Sequence, residues 1–114
     1  MYKRVVPIGD DRVFIADSEL GVFTEMKSFA FVPHTMTVET YIEKLVETAW
    51  VFYKTGIHVR GETLEEKAKS AYAQFLEKGF LVEISKELAL EMLGYTQAEA
   101  DELNIAGVRS FDEE

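Results

Sequence analysis

The sequence predicts an α+β fold with element order βββααβαα. Three observations predict it: β-rich runs punctuated by turn residues in the first third, apolar stripes at helical spacing in the middle, and short capped helices at the end. Residues 2–8 and 12–17 flank Gly9-Asp10-Asp11. Glycine and aspartate favour the tight or left-handed turns that reverse a chain, so these runs read as two antiparallel strands. In the second, Val13 and Ile15 face one side and Phe14 and Ala16 the other. After Ser18-Glu19-Leu20-Gly21, the run Val22 to Val32 is expected to be the third strand of a β-meander, interrupted at Thr24-Glu25-Met26-Lys27 by a bulge or loop and ended by Pro33.

Thr37 supplies an N-cap, Glu39 sits at the positive end of the helix dipole, and helical spacing continues to Thr55 before Gly56 ends it. Val38, Ile42, Leu45, Ala49 and Phe52 form one stripe, which Tyr41, Val46, Trp50 and Tyr53 widen beyond the usual apolar face. That breadth predicts a long helix buried in the core; it also permits a homodimer through the Trp50 helix. Thr63-Leu64-Glu65-Glu66 is a capping box. The helix after it places Leu64, Ala68, Ala71, Tyr72, Phe75 and Leu76 inward and Glu65, Lys69, Gln74 and Glu77 outward, and Gly79 stops it. Phe80 to Ile84 reads as a strand returning to the first sheet. Ser85 caps a helix to Leu93, Gly94 ends it, and Thr96 with Glu99 caps a last one ending near Asn104. These two are expected to pack through Leu88, Met92, Leu93 and Leu103.

A chain of 114 residues reads as one domain, 1–114, with the acidic tail 110–114 free to be flexible. A hydrophobic content of 47% with 29% charged residues is that of a globular chain. The absence of cysteine excludes disulfides, thiolate nucleophiles and thiolate metal sites. The apolar run Thr48 to Tyr53 is far short of the roughly 20 residues of a membrane span. The start, Met1 to Pro7, lacks the apolar stretch of a secretory signal, so a cytoplasmic location is expected.

The net charge of −9 is unevenly placed. Residues 1–82 hold ten basic and twelve acidic side chains, a net −2, whereas residues 83–114 hold two basic and nine acidic, a net −7. A concentrated negative field disfavours phosphate backbones and anionic lipid and favours basic partners.

The spacing Ser85-x-Glu87-x-Ala89-x-x-Leu93-Gly94-x-Thr96 resembles the opening of helix-turn-helix units in excisionase-type and mercury-resistance-regulator-type proteins, over about 20 positions. The resemblance implies that the second helix presents Gln97, Ala98, Asp101 and Glu102 outward. Here the chain departs from a DNA reader. Counterion release needs Lys and Arg, and Asp101 and Glu102 would meet phosphates at like charge, so no direct binding to duplex DNA is expected.

The expected partner is instead a basic protein, itself of the nucleic-acid-binding kind. Glu87, Glu91, Gln97, Asp101, Glu102 and Asp112 are the candidate contacts. On this reading the chain is a non-enzymatic binding module or small acidic inhibitor, a nucleic-acid mimic like the antagonists that phages and mobile elements make. The alternative is a helix-turn-helix-derived regulator or adaptor. A third reading is a small enzyme built on His58 and Arg60 in Gly56-Ile57-His58-Val59-Arg60-Gly61-Glu62, an acid/base histidine beside an anion-binding arginine. No nucleophile stands at recognisable spacing from them. Asp10, Asp11 and Asp17 lack the alternation of a calcium loop, and no HExxH, GxGxxG or GxxxxGK[ST] motif occurs, so no metal or cofactor is expected. Tyr2, Lys3, Arg4 and Arg12 have the character of a single-strand nucleic-acid surface, but read more readily as an edge strand guarded by charge.

Overall fold

The structure is a computed structural model that describes residues 2–105, 107 and 108; Asp112 and the tail 110–114 lie outside the described residues. Strands β1 (Lys3–Pro7) and β2 (Phe14–Ala16) pair antiparallel, with Lys3 opposite Ala16 and Val5 opposite Phe14. The returning strand β3 (Leu81–Glu83) pairs antiparallel with the other edge of β1, Val5 opposite Glu83 and Pro7 opposite Leu81. The order is β2-β1-β3. β1 is therefore the central strand, and the basic residues expected to guard an edge are engaged within the fold. Lys3 pairs with Glu19 at 3.5 Å, Arg4 donates to the Gly107 carbonyl at 2.7 Å, and Arg12 lies 4.8 Å from the Phe29 ring centre.

The segment expected as a third strand is helix α1 (Glu19–Phe29). Ser18 caps it, its side chain accepting from the Gly21 amide, and Val22, Phe23 and Met26 are buried. Within the interruption at 24–27, Thr24 and Glu25 are exposed on the outer surface of this helix, while Met26 turns into the core. Apolar residues at i, i+1 and i+4 follow a helical period, and that period prevails over the β propensity of valine and phenylalanine.

Helix α2 (Val38–Tyr53) starts at Thr37, whose hydroxyl accepts from the Thr40 amide. Tyr41, Ile42 and Ala49 are its buried residues. It lies on the surface with one face covered, contrary to the expectation of a buried helix: Trp50, Val51, Phe52 and Tyr53 are each 50 to 75% exposed. It also ends before Gly56. Lys54 takes the left-handed conformation, φ 53°, and its amide turns back to the Ala49 and Trp50 carbonyls. Satisfying those last carbonyls stops the helix two residues earlier than glycine would.

Helix α3 (Leu64–Glu77) has the expected capping box and buries Ala68, Ala71, Tyr72 and Phe75. The Phe80 amide then bonds the Phe75 carbonyl at 2.8 Å, reversing the chain into β3. Helices α4 (Lys86–Leu93) and α5 (Gln97–Leu103) complete the fold, which is α+β with a three-stranded antiparallel sheet and five helices.

The alternation in β2 divides the interior in two. Phe14 and Ala16 join the main core with Val5, Phe23, Tyr72 and Phe75, under α1, α2 and α3. Val13 and Ile15 join a second, smaller core with Ala89, Leu90, Ala100 and Val108, under α4 and α5. Phe23 centres the main core, its ring 6.5 Å from Tyr72 and 6.1 Å from Phe75, spacings at which aromatic quadrupoles attract. The sheet is thus covered on both faces, and the acidic helices are mounted on the face opposite the main core.

Candidate functional site

The acidic helix pair is built from local signals that each satisfy an orphan backbone group. Ser85 Oγ accepts from the Leu88 amide at 3.1 Å to open α4, with Glu87 in its first turn. Gly94 closes it in the left-handed region, φ 80°, where its amide bonds the Leu90 carbonyl at 2.9 Å and the Tyr95 amide the same carbonyl at 3.1 Å. A side chain at Gly94 would strain that conformation. Thr96 and Glu99 then exchange hydrogen bonds at 3.1 and 2.9 Å to open α5, so the Glu99 carboxylate is committed to the cap. Capped helix, left-handed glycine and capped helix form the arrangement that the sequence spacing anticipates.

The packing of the pair differs from expectation. Leu88, Met92, Leu93 and Leu103 are 37 to 57% exposed, and Ala89, Leu90 and Ala100 are buried in their place. The cause is size: alanines at 89 and 100 let two short helices lie close on Val13, Ile15 and Ile84, which turns the larger residues at 88 and 92 outward.

Gln97 does not face solvent as the helix-turn-helix resemblance implies. It is half-buried, and its Nε2 donates to the Val108 carbonyl at 2.6 Å and to Asp101 Oδ1 at 3.1 Å. Asp101 is likewise half-buried. The two hold the chain that follows α5, and Arg4 secures the same stretch from β1 through the Gly107 carbonyl. Glu87 and Glu91 are exposed one turn apart on α4, and Glu102 is exposed on α5. Among the described residues these three carboxylates have no lysine or arginine within ion-pairing distance. Asp112 lies outside the described residues. Leu88 and Met92 therefore form an uncovered apolar stripe beside the carboxylate stripe of Glu87 and Glu91, since residues four apart share a helix face. The exposed stripe was not foreseen; its signal in the sequence is the small residue at 89, which marks the inward direction.

His58 and Arg60 lie on the connector between α2 and α3, both exposed. Their backbone is fixed: the His58 amide donates to Gln74 Oε1 at 2.8 Å and the Arg60 amide to Ser70 Oγ at 3.0 Å. Gln74, expected outward, is half-buried by this role. No ion pair joins Arg60 to Glu62 among the described residues. An open apolar cleft lies between α2 and the β1–β3 end of the sheet, bounded by Ile8, Phe23, Met26, Leu45, Tyr53 and Phe80. Among the described residues no three metal-ligating side chains come together, and no helix is long and apolar enough to cross a membrane. Comparison of the chain with protein-family models, with curated proteins and with solved structures gives no match to any of them.

Proposed function

We propose that the outer surface of α4 and α5 is a docking site for a basic, amphipathic segment of another protein. One observation carries this reading: Leu88 and Met92 stand exposed on one helix beside the carboxylates of Glu87 and Glu91, which have no ion-pair partner among the described residues. Protein interfaces combine an apolar centre with a charged rim, and anionic rims raise the encounter rate with cationic partners. Glu102 extends the rim to α5. A partner that uses its basic surface to hold nucleic acid would be blocked by this chain, which makes it an inhibitor of the nucleic-acid-mimic type. The cytoplasmic location expected above accords with such a role.

The same residues argue against duplex DNA as the ligand. Counterion release requires cationic side chains, and α5 presents none. The helix-turn-helix arrangement favours a second reading, a regulator or adaptor in which that shape grips protein instead of a major groove.

The test begins with capture from a lysate at low and high salt, followed by titration of the purified partner. Glu87→Lys with Glu91→Lys should weaken binding at low salt and flatten its loss as salt rises, and Leu88→Ser with Met92→Ser should weaken it at every salt. Retention unchanged in both variants would remove α4 from the interface. Binding of the wild-type chain to duplex DNA at low ionic strength would overturn the proposal outright.

A further inference from the structure

Among the described residues, the carboxyl-terminal end of α2 is the longest run of consecutive exposed large apolar side chains. Trp50, Val51, Phe52 and Tyr53 are consecutive, and each is at least half exposed. Tyr53 leans on Phe80, ring centres 5.1 Å apart, whereas Trp50 and Val51 belong to the side turned away from the buried residues Ile42 and Ala49. Scattered apolar residues on a surface are ordinary; a tryptophan and a valine on one outward face beside two further large residues mark a contact surface.

The charges around this face indicate what covers it. Glu47 lies one turn before Trp50 on the same outward side, and Lys54, the left-handed residue that caps the helix, is exposed at its end. Neither is in an ion pair among the described residues; the Lys54 ammonium rests 6.0 Å from the Trp50 ring centre. A two-fold axis demands that a surface complement itself. For two antiparallel copies of α2 crossing midway between residues 50 and 51, position 50 of one copy falls opposite 51 of the other, and Glu47 falls opposite the helix end that the exposed Lys54 caps. The sequence satisfies both pairings: carboxylate meets ammonium twice, and tryptophan meets valine twice.

From this charge complementarity we infer that the chain forms a two-fold dimer through antiparallel pairing of the last two turns of α2, with Glu47 of each copy against Lys54 of the second copy. The inference is independent of the proposed role of α4 and α5, which stand on the opposite face of the sheet. Two turns of helix make a small interface, so the dimer belongs to the weak, reversible class.

Sedimentation velocity of the purified chain over a concentration series, from low micromolar to near millimolar, tests it without any partner. The wild-type mass should move from one chain toward two as concentration rises. Lys54→Glu and Glu47→Lys should each weaken association about fivefold or more, because two attractions become two repulsions. The double variant Glu47→Lys with Lys54→Glu should restore it. All three changes are at exposed positions, and circular dichroism confirms that each variant is folded. A wild-type chain monomeric throughout the series overturns the inference, as does dimerisation that neither single variant weakens or that the double variant fails to recover.

Discussion

The side-chain amide of Gln74 on α3 forms two hydrogen bonds with the backbone of His58, sixteen residues earlier: Oε1 accepts from the His58 amide at 2.8 Å and Nε2 donates to its carbonyl at 2.7 Å. Gln74 acts as a neighbouring strand would, occupying donor and acceptor together. With Ser70 Oγ on the Arg60 amide, it lays the connector along α3 and leaves both functional-looking side chains in solvent. Gln74→Ala should therefore cost about 1–2 kcal/mol of stability, the range for orphaned backbone partners. His58→Ala, which removes only an exposed ring, should be near neutral. Urea unfolding compares the two, and hydrogen exchange should show protection lost at the His58 and Arg60 amides in the glutamine variant alone.

Tyr72 should make stability sensitive to alkaline pH. Its hydroxyl donates to Glu83 Oε2 at 2.6 Å, and burial, followed by that hydrogen bond and the Glu83 charge, raises the phenol far above its ordinary range. Burial raises Tyr41 as well. A phenol whose folded pKa exceeds its unfolded value holds its proton better when folded, so the stabilisation is complete below the unfolded value of about 10 and is lost as pH rises above it. Stability measured by urea midpoint should fall above that pH. Tyr72→Phe should flatten the decline, with Tyr41 responsible for the part that persists. An equally steep decline in the variant would place the alkaline sensitivity elsewhere.

The caps were the most legible part of the sequence, because a cap is local: Thr37, Thr63, Ser85 and Thr96 each act on an amide three residues away. The alternation of β2 was equally legible, and it assigned Phe14 and Val13 to opposite faces. What failed depended on distant partners. The strand propensity of Val22 to Val32 yielded to a helical period whose polar positions resembled an interruption. The helix-turn-helix resemblance puts Gln97 outward and helical spacing puts Gln74 outward, yet each meets a backbone group brought to it by the fold. Of the candidate contact residues, Glu87, Glu91 and Glu102 are exposed, whereas Gln97 and Asp101 serve the structure.

Lys54 carries a backbone strain that glycine would relieve. Its φ of 53° lies in the left-handed region, which costs an L-residue about 1 kcal/mol or more, partly offset in glycine by the greater entropy of the unfolded chain. Lys54→Gly should accordingly raise stability by a few tenths to about 1 kcal/mol, read from the urea midpoint. Measurement in dilute solution excludes any effect through self-association, and the exposed ammonium's contact with the Trp50 ring, lost in the variant, subtracts at most about a few tenths of a kcal/mol from that gain.

Gly107 decides whether the acidic helices stay seated. It has φ 82°, and a Cβ there would collide with Ile15 Cγ2 on β2 and press on the Tyr2 ring. Its carbonyl is also the acceptor for Arg4. Gly107→Ala should thus cost about 2 kcal/mol or more, from left-handed strain together with overpacking. The damage should be local, because Ala89, Leu90, Ala100 and Val108 form a core separate from that around Phe23. Hydrogen exchange should accelerate at the amides of α4 and α5 while those of α1 and α3 keep their protection. Equal acceleration in all four helices would mean that the two cores unfold as one, and that the sheet between them transmits the loss of either face to the other.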